Sequence, residues 1–272
     1  MPELPEVEVT KRGIEPYLQG AVITGIVHDD KQLREPYSPR MNDITGGRVS
    51  SVERRAKYII IRTNQGCLIL HLGMTGHLRV LEHEEPAGAH DHFSMILNTG
   101  TIIRFNDVRR FGLIVYVGKG EDPYSDKHLT CLGPEPFSAE FNKDYLLKAL
   151  SKRKLPIKQA LMNNSVVVGV GNIYASEVLF KSGISPQRKA CKISPAECDS
   201  LCRNIRETLT ESISKGGTTI RDFSGADGKM GYFVQNLFVY GHKDQPCRKC
   251  GTTIESIVQG GRSTFYCPHC QK

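Results

Sequence analysis

The stretch CRKCGTTIESIVQGGRSTFYCPHC, residues 247–270, decides how the chain ends and frames the reading of the rest. Cys247 and Cys250 form one C-x2-C knuckle and Cys267 and Cys270 a second, with sixteen residues between them. Four thiolates in two knuckles are the donor set of one tetrahedral structural zinc ion, and full ligation leaves no position open for substrate. The segment between the knuckles reads as two strands meeting at Gly260-Gly261, a metal-bound β-hairpin with Arg262 at its tip. By itself such an arginine would be a solvated charge. Of the other five cysteines, Cys67 and Cys131 stand alone and read as small buried hydrophobes. Cys198 and Cys202 share a helix face at i, i+4 near Cys191, and read as buried thiols rather than a second metal site.

The 272 residues are enough for two domains with a core each. Charged residues make up 24% and apolar residues 39%, which excludes a disordered chain. The net charge of +7 permits a nucleic-acid partner. No apolar run approaches the ~20 residues of a membrane span, and the start lacks the layout of a signal peptide. A cytoplasmic, monomeric protein without membrane contact is the expectation.

The sixteen or so residues after Met1 read as a helix, with Val7, Ile14 and Leu18 at helical spacing. The period then changes. AVITGIV, RVSSVERRAKYIIIRT, CLILHLGM, HFSMILNTG, TIIRF and FGLIVYVG are short β-branched runs between turns, the pattern of an antiparallel sandwich or barrel. From residue 138 the period is helical again: AEFNKDYLLKALSK, LPIKQALMNN, NIYASEVLFKSG and SPAECDSLCRNIRETLTESISKGG. In the last of these Ser194 and Glu197 make a capping box and Gly216-Gly217 the stop. The expected class is therefore α+β. Residues 1–118 form an N-terminal antiparallel β-sandwich with flanking helices, and 119–137 a Gly- and Pro-rich linker. Residues 138–240 form a helical domain with a loop at about 218–233, and 241–272 the zinc hairpin.

Several constellations point to chemistry. Gly169 and Gly171 flank a turn before Asn172, where a helix start would suit a phosphate; a plain helix-joining turn is the equal alternative. Lys152, Arg153, Lys154 and Lys158 approach it without an intervening acid. In the β-rich half, Arg54, Arg55 and Lys57 precede a strand, His71 and Met74 lie at a strand end and turn, and Arg109, Arg110 and Phe111 at another. A basic residue beside an exposed Met or Phe can wedge into a base stack. Taken singly, Met74 and Phe111 fit a core better. His90-x-His92 lacks a third ligand, and phosphate contact or ordinary hydrogen bonding is its better reading. The opening MPELPEVE would by residue type be a helix start with early acids.

Together PELPEVE, RRAKY, HLGM, HDH, DVRRFG, VVGVGNIYASE and QGGRSTFYC resemble the formamidopyrimidine-DNA glycosylases, in order and over the whole chain. The resemblance implies a β-sandwich, a helix–two-turns–helix domain and a zinc finger. It implies an enzyme that removes oxidised purines from double-stranded DNA and cuts the strand at the abasic site, near the nucleoid, with no redox or nucleotide cofactor. Pro2 corresponds to the nucleophile, once Met1 is removed and its nitrogen is a secondary amine. Glu3 corresponds to the acid beside it, Glu6 to a supporting carboxylate, Lys57 to a proton donor, and Arg262 to the arginine of δ-elimination. His71, His90, Arg109, Arg153, Lys158 and Asn172 correspond to DNA contacts. Met74, Arg109 and Phe111 correspond to the trio that fills the gap left by a flipped nucleotide, and 218–233 to the loop over the lesion. The sister endonuclease VIII type shares the nucleophile but prefers oxidised pyrimidines, and PELPEVE with the intact trio favours the purine enzyme. A non-catalytic zinc-finger DNA-binding protein is the rival of another class.

Overall fold

Glutamates at positions 3 and 6 fix where the chain first becomes regular. In the computed structural model, which describes residues 1–218 and 236–272, Glu3 caps helix α1 (Leu4–Leu18) in a reciprocal capping box with Glu6. Pro5 sits in the first turn, where its missing N–H costs nothing. The helix buries Val7, Ile14 and Leu18, as their spacing predicts.

The described residues fall into two compact units, Met1–Cys131 with 215–218, and Leu132–Ser214 with 236–272. In the first unit, eight strands make two four-stranded antiparallel sheets among the described residues. One runs β2 (Val49–Arg55), β3 (Tyr58–Thr63), β4 (Gly66–His71) and β8 (Leu113–Gly118) in space. The other runs β1 (Ile23–His28), β6 (Asp91–Leu97), β7 (Ile102–Asn106) and β5 (His77–Leu81). Ile59, Ile61, Leu68 and Leu70 of the first sheet share one core with Phe93, Met95, Ile103 and Phe105 of the second. That is a sandwich. The run 48–63 is two strands, because Arg55 pairs with Tyr58 across a two-residue turn. Strand β5 escapes a reading by period because only Leu78 and Leu81 of its five residues are buried.

The second unit holds α2 (Lys143–Leu150), α3 (Ile157–Leu161), α4 (Asn172–Lys181), α5 (Pro195–Ser214) and the hairpin β9 (Glu255–Gln259) and β10 (Arg262–Tyr266). Asn142 caps α2 by accepting the Tyr145 N–H at 3.0 Å. Ser194 and Glu197 form the expected box at α5, with the Ser194 N–H donating to Glu197 at 2.8 Å. Arg188 pairs with Glu197 and holds that carboxyl down at about 2. Cys198 and Cys202 are buried on one face of α5, and burial pushes their thiols up to about 11 and about 12. Cys67 is buried as expected; Cys131 is exposed, because it stands in an irregular stretch with no sheet or helix face to bury it.

Glu177 on α4 is the least expected element of this unit. Its carboxylate is buried and accepts the backbone N–H groups of Phe238, Val239 and Tyr240 at 2.8, 3.0 and 2.9 Å. It thereby fixes the backbone of residues 238–240 ahead of the hairpin. Replacing Glu177 by Ala strands three donors away from solvent. We expect a loss on the order of 3 kcal/mol of unfolding free energy in a urea titration, and a change below about 1 kcal/mol would refute this anchor.

Candidate active site

Pro2 is buried, not frayed, and lies directly ahead of the capping box. Glu3 and Glu6 are each only 2% exposed. One oxygen of Glu6 accepts the Glu3 N–H at 2.8 Å. The other accepts both the N–H and the hydroxyl of Thr218, each at 2.8 Å. A helix start has thus become a fixed point with two carboxylates beside Pro2. The rest of the loop expected over the lesion, 219–233, lies outside the described residues.

Lys57 occupies the turn between β2 and β3 and is 7% exposed. Its neighbour Ala56 takes φ +54°, a left-handed conformation that costs a residue with a Cβ about 1–2 kcal/mol. Arg54 secures the turn by donating to the Ala56 carbonyl at 3.0 Å and to Glu8 on α1 at 2.9 Å. Burial would raise the Glu8 carboxyl, but hydrogen bonds and charge from Arg12 and Arg54 outweigh it and hold the group below its ordinary range.

Two further turns stand side by side. His71 ends β4, and Met74 follows in the turn to β5; Arg109 and Phe111 lie in the turn from β7 to β8. Met74 and Phe111 are exposed, contrary to the expectation for isolated apolar residues, and the Arg109 guanidinium lies 4.8 Å from the centre of the Phe111 ring. The His71 Nδ1 accepts from Arg34 at 2.8 Å and from the Gly73 N–H at 3.0 Å, which puts its proton on Nε2. Burial, aided by Arg34, Lys57 and His128, takes its pKa down to about 3. His90 is exposed, whereas His92 is buried between the Asp29 carboxylate and the Asp107 carbonyl, so the two do not act as a pair.

In the second unit, Val166, Val167, Val168 and Val170 are all fully buried, so the irregular segment joining α3 to α4 is packed into the core. It delivers Gly169 at φ +82° and Gly171 as the N-cap of α4, which begins with Asn172. Lys158, expected as a DNA contact, is 1% exposed. Its ammonium donates to Asn172 Oδ1 at 2.7 Å, Ser263 O at 3.2 Å and Thr264 Oγ1 at 2.8 Å. Asn172 also donates to Ser263 O at 3.0 Å, so lysine and asparagine are fixed together against β10. Arg153 is partly exposed, held by Ala149 O at 3.0 Å and Ser165 Oγ at 3.1 Å. Arg262 is exposed beyond the turn made by Gly260 and Gly261, both at positive φ, the hairpin geometry that paired glycines allow. Sequence reasoning named Arg54 only as a basic residue near Lys57, and it assigned no role to Arg34, Asp107 or Glu177, the residues that hold the others.

The sulfur atoms of Cys247, Cys250, Cys267 and Cys270 lie within 4.8 Å of one another. Amides of Lys249 and Cys270 point at Cys247 and Cys267 sulfur at 3.4 and 3.5 Å. With zinc–sulfur bonds of about 2.3 Å a tetrahedron needs sulfurs ~3.8 Å apart, and this donor set fits.

Three family models match: the formamidopyrimidine-DNA glycosylase N-terminal domain over residues 1–114, its H2TH domain over 132–224, and a zinc finger found in FPG and IleRS over 244–272. Formamidopyrimidine-DNA glycosylase of Proteus mirabilis is 50% identical over 271 residues, covering 100% of this chain and 98% of that one. The same enzyme of Pasteurella multocida is 50% identical over 273 residues, covering 100% of both. The chain belongs to the formamidopyrimidine-DNA glycosylase family. Among solved structures, MutM (Fpg) of Thermus thermophilus superposes with a TM-score of 0.89 at 37% identity, over 99% of this chain and 98% of that one. A MutM bound to DNA with carbocyclic 8-oxo-G gives 0.89 at 32% identity over 100% of both.

The α+β fold, with its antiparallel sheets, helical domain and four-cysteine hairpin, is that of formamidopyrimidine-DNA glycosylases, and the metal is a structural zinc ion. A strong chelator should release about one equivalent of zinc per chain and disorder the hairpin, read by metal analysis and amide exchange. Retention of hairpin protection without metal would refute the assignment. A second expectation concerns His71. Its folded pKa lies below the unfolded value of about 6.5, so its contribution is complete above pH 6.5 and is lost as pH falls toward 3. The unfolding free energy of the wild type should therefore drop more steeply below pH 6.5 than that of His71→Asn; parallel profiles would contradict an imidazole held neutral by its surroundings.

Proposed function

We propose that this chain is a bifunctional base-excision repair enzyme. It removes formamidopyrimidine and 8-oxoguanine bases from double-stranded DNA and then cleaves the strand at the abasic site. The observation that carries the reading is the fixed start of the chain: Pro2 is buried next to Glu3 and Glu6, which hold each other across the first helical turn. Solved relatives hold DNA containing Fapy-dG, an 8-oxo-G analogue or an abasic site, which supports the substrate class.

After removal of Met1, Pro2 carries a secondary α-amine. The reference pKa of such a group is about 7.7–8.0, against about 10.4 for lysine, so more of it is a free base at neutral pH. Its lone pair forms a bond to C1′ of the deoxyribose. The electrons of the glycosidic bond leave with the base, which takes a proton, and Glu3 is the acid that protonates the ring oxygen or the departing base. The attached nitrogen gives up its proton, and its lone pair then breaks the C1′–O4′ bond as the ring oxygen takes a proton; the resulting open-chain iminium is the Schiff-base form of covalent catalysis. It acidifies C2′, and loss of that proton expels the 3′ phosphate; a second elimination expels the 5′ phosphate. Amine, acid and base account for each step, so the route calls on no redox or nucleotide cofactor.

Glu6 supports the site through Glu3 and Thr218, Lys57 supplies a proton, and Arg262 binds phosphate during δ-elimination. His90, Arg109, Arg153 and Asn172 contact DNA, with Lys158 acting through the Asn172 it holds and His71 as a neutral hydrogen-bonding group. Met74, Arg109 and Phe111 fill the gap left by the flipped nucleotide, with arginine toward the orphaned cytosine; flipping costs a few kcal/mol, which the wedge offsets in part. The residues of the 218–233 loop cover the lesion. The enzyme works as a monomer in the bacterial cytoplasm, at the nucleoid.

Borohydride trapping on an 8-oxoguanine:cytosine duplex tests the reading. A covalent adduct should map to Pro2, and Pro2→Gly should lower trapping by at least about a hundredfold. Retained Met1, which leaves the nitrogen a tertiary amide, should abolish it. No adduct from processed protein would leave only a binding protein, and preferential cleavage of thymine-glycol duplexes would move the chain to the pyrimidine-specific type.

A further inference from the structure

Met74 and the Arg109–Phe111 run belong to different turns of the sandwich, yet one buried side chain organises both. Asp107 is 0% exposed. Its Oδ1 accepts the Thr75 hydroxyl at 2.5 Å and the Arg109 N–H at 3.3 Å, and its Oδ2 accepts the Gly112 N–H at 2.7 Å. Thr75 Oγ1 accepts the Arg109 N–H as well, at 3.1 Å. The Asp107 carbonyl receives the Arg110 N–H at 3.2 Å and faces His92 Nε2 at 3.0 Å. A single aspartate is therefore bonded to the residue after Met74 and to both flanks of Arg110-Phe111.

Two further features lock the same pair of turns. Arg34 donates to the Phe111 carbonyl through Nε at 3.1 Å and Nη2 at 2.7 Å, and the same Nη2 reaches His71. Gly73, at φ +66°, brings the backbones together so closely that a Cβ there would meet the Phe111 carbonyl oxygen at 2.7 Å. Arg110 stands at φ +55°, a conformation unfavourable for a long side chain. Such strain persists only where surrounding bonds over-determine the backbone, and here they do. These bonds hold a short surface with Met74 and Phe111 exposed at its tip.

Side chains that enter a base stack must resist its closing, and a turn that gives way would lose part of the few kcal/mol they offset. We infer that Asp107 is a positioning residue for this wedge, assisted by Thr75 and Arg34. It sets where Met74, Arg109 and Phe111 stand, and with that the speed of base displacement, without touching DNA. The inference rests on the wedge role proposed above.

The test compares wild type, Asp107→Asn and Thr75→Val. Asparagine keeps the shape but turns one acceptor into a donor facing a backbone N–H; valine removes only the hydroxyl bridge. The first readout is the fluorescence of 2-aminopurine beside the orphaned cytosine in an 8-oxoguanine duplex, with single-turnover base release. The second is borohydride trapping on a single-stranded oligonucleotide with a preformed abasic site, which needs Pro2 but no wedge. Asp107→Asn should slow the fluorescence rise and base release at least about tenfold, and Thr75→Val less, with single-strand trapping within about twofold of wild type. Equal losses on both substrates, or an unchanged fluorescence rise in both variants, would overturn the inference. If Asp107→Asn does not fold, Thr75→Val alone decides. Failure of wild type to form any adduct would instead sink the glycosylase reading, and the fluorescence response would still report whether the hub sets insertion.

Discussion

The Glu6 carboxylate does for the start of this chain what a core does for its middle. Leu4, Pro5 and Val7 are buried in the first turn, and Glu6 adds hydrogen bonds of fixed direction to that packing. It makes one such bond to the Glu3 N–H and two to Thr218, 212 positions away in sequence. Because both oxygens are used, the carboxylate cannot turn without breaking a bond on one side. Pro2 inherits that rigidity. The nucleophilic role proposed for Pro2 requires an end that does not fray, and Glu6 supplies one.

The same economy recurs around the sandwich. Lys57, Met74 and Phe111 are carried on short turns, and each turn is fixed by hydrogen bonds of an ionic side chain in the same unit. Arg54 reaches the Ala56 carbonyl, Asp107 reaches Thr75 and Gly112, and Arg34 reaches Phe111. Of the three positive-φ residues other than glycine among those described, Ala56 and Arg110 lie in these turns. Strain is thus concentrated where chemistry or DNA contact is proposed and nearly absent elsewhere, a pattern expected of sites whose geometry is imposed by their surroundings.

The fold was legible where burial imposes a period. Val7, Ile14 and Leu18, the β-branched runs and the helical repeats after residue 138 announced their elements, and two C-x2-C knuckles announced the metal. Strand β5 was not legible, because its two buried residues, Leu78 and Leu81, stand three apart and Val80 between them is only half-buried. Site residues with a local motif, such as Pro2, Lys57, Met74 and Arg262, could be picked out through resemblance. Those that hold them could not: Arg34 acts on residues 37 and 77 positions away, Glu177 on residues 61 to 63 away, and no local pattern encodes such a distance. Asp107 was the exception in principle, since an aspartate just before a turn is a known organiser of backbone N–H groups. Lys158 was grouped with Lys152, Arg153 and Lys154 as a basic approach to a turn, and nothing local pointed to its oxygen partners in α4 and, more than a hundred residues on, in β10.

That enclosed ammonium bears on whether the chain can be treated as a string of interchangeable modules. The family models divide it into three, and the zinc hairpin looks like an appendix that could be exchanged or trimmed. Yet Ser263 and Thr264 of the hairpin are acceptors for Lys158, and a shortened chain would strip a buried cation of both. The last thirty residues are electrostatically part of the helical unit, so a truncation there is an internal lesion rather than a loss of a tail.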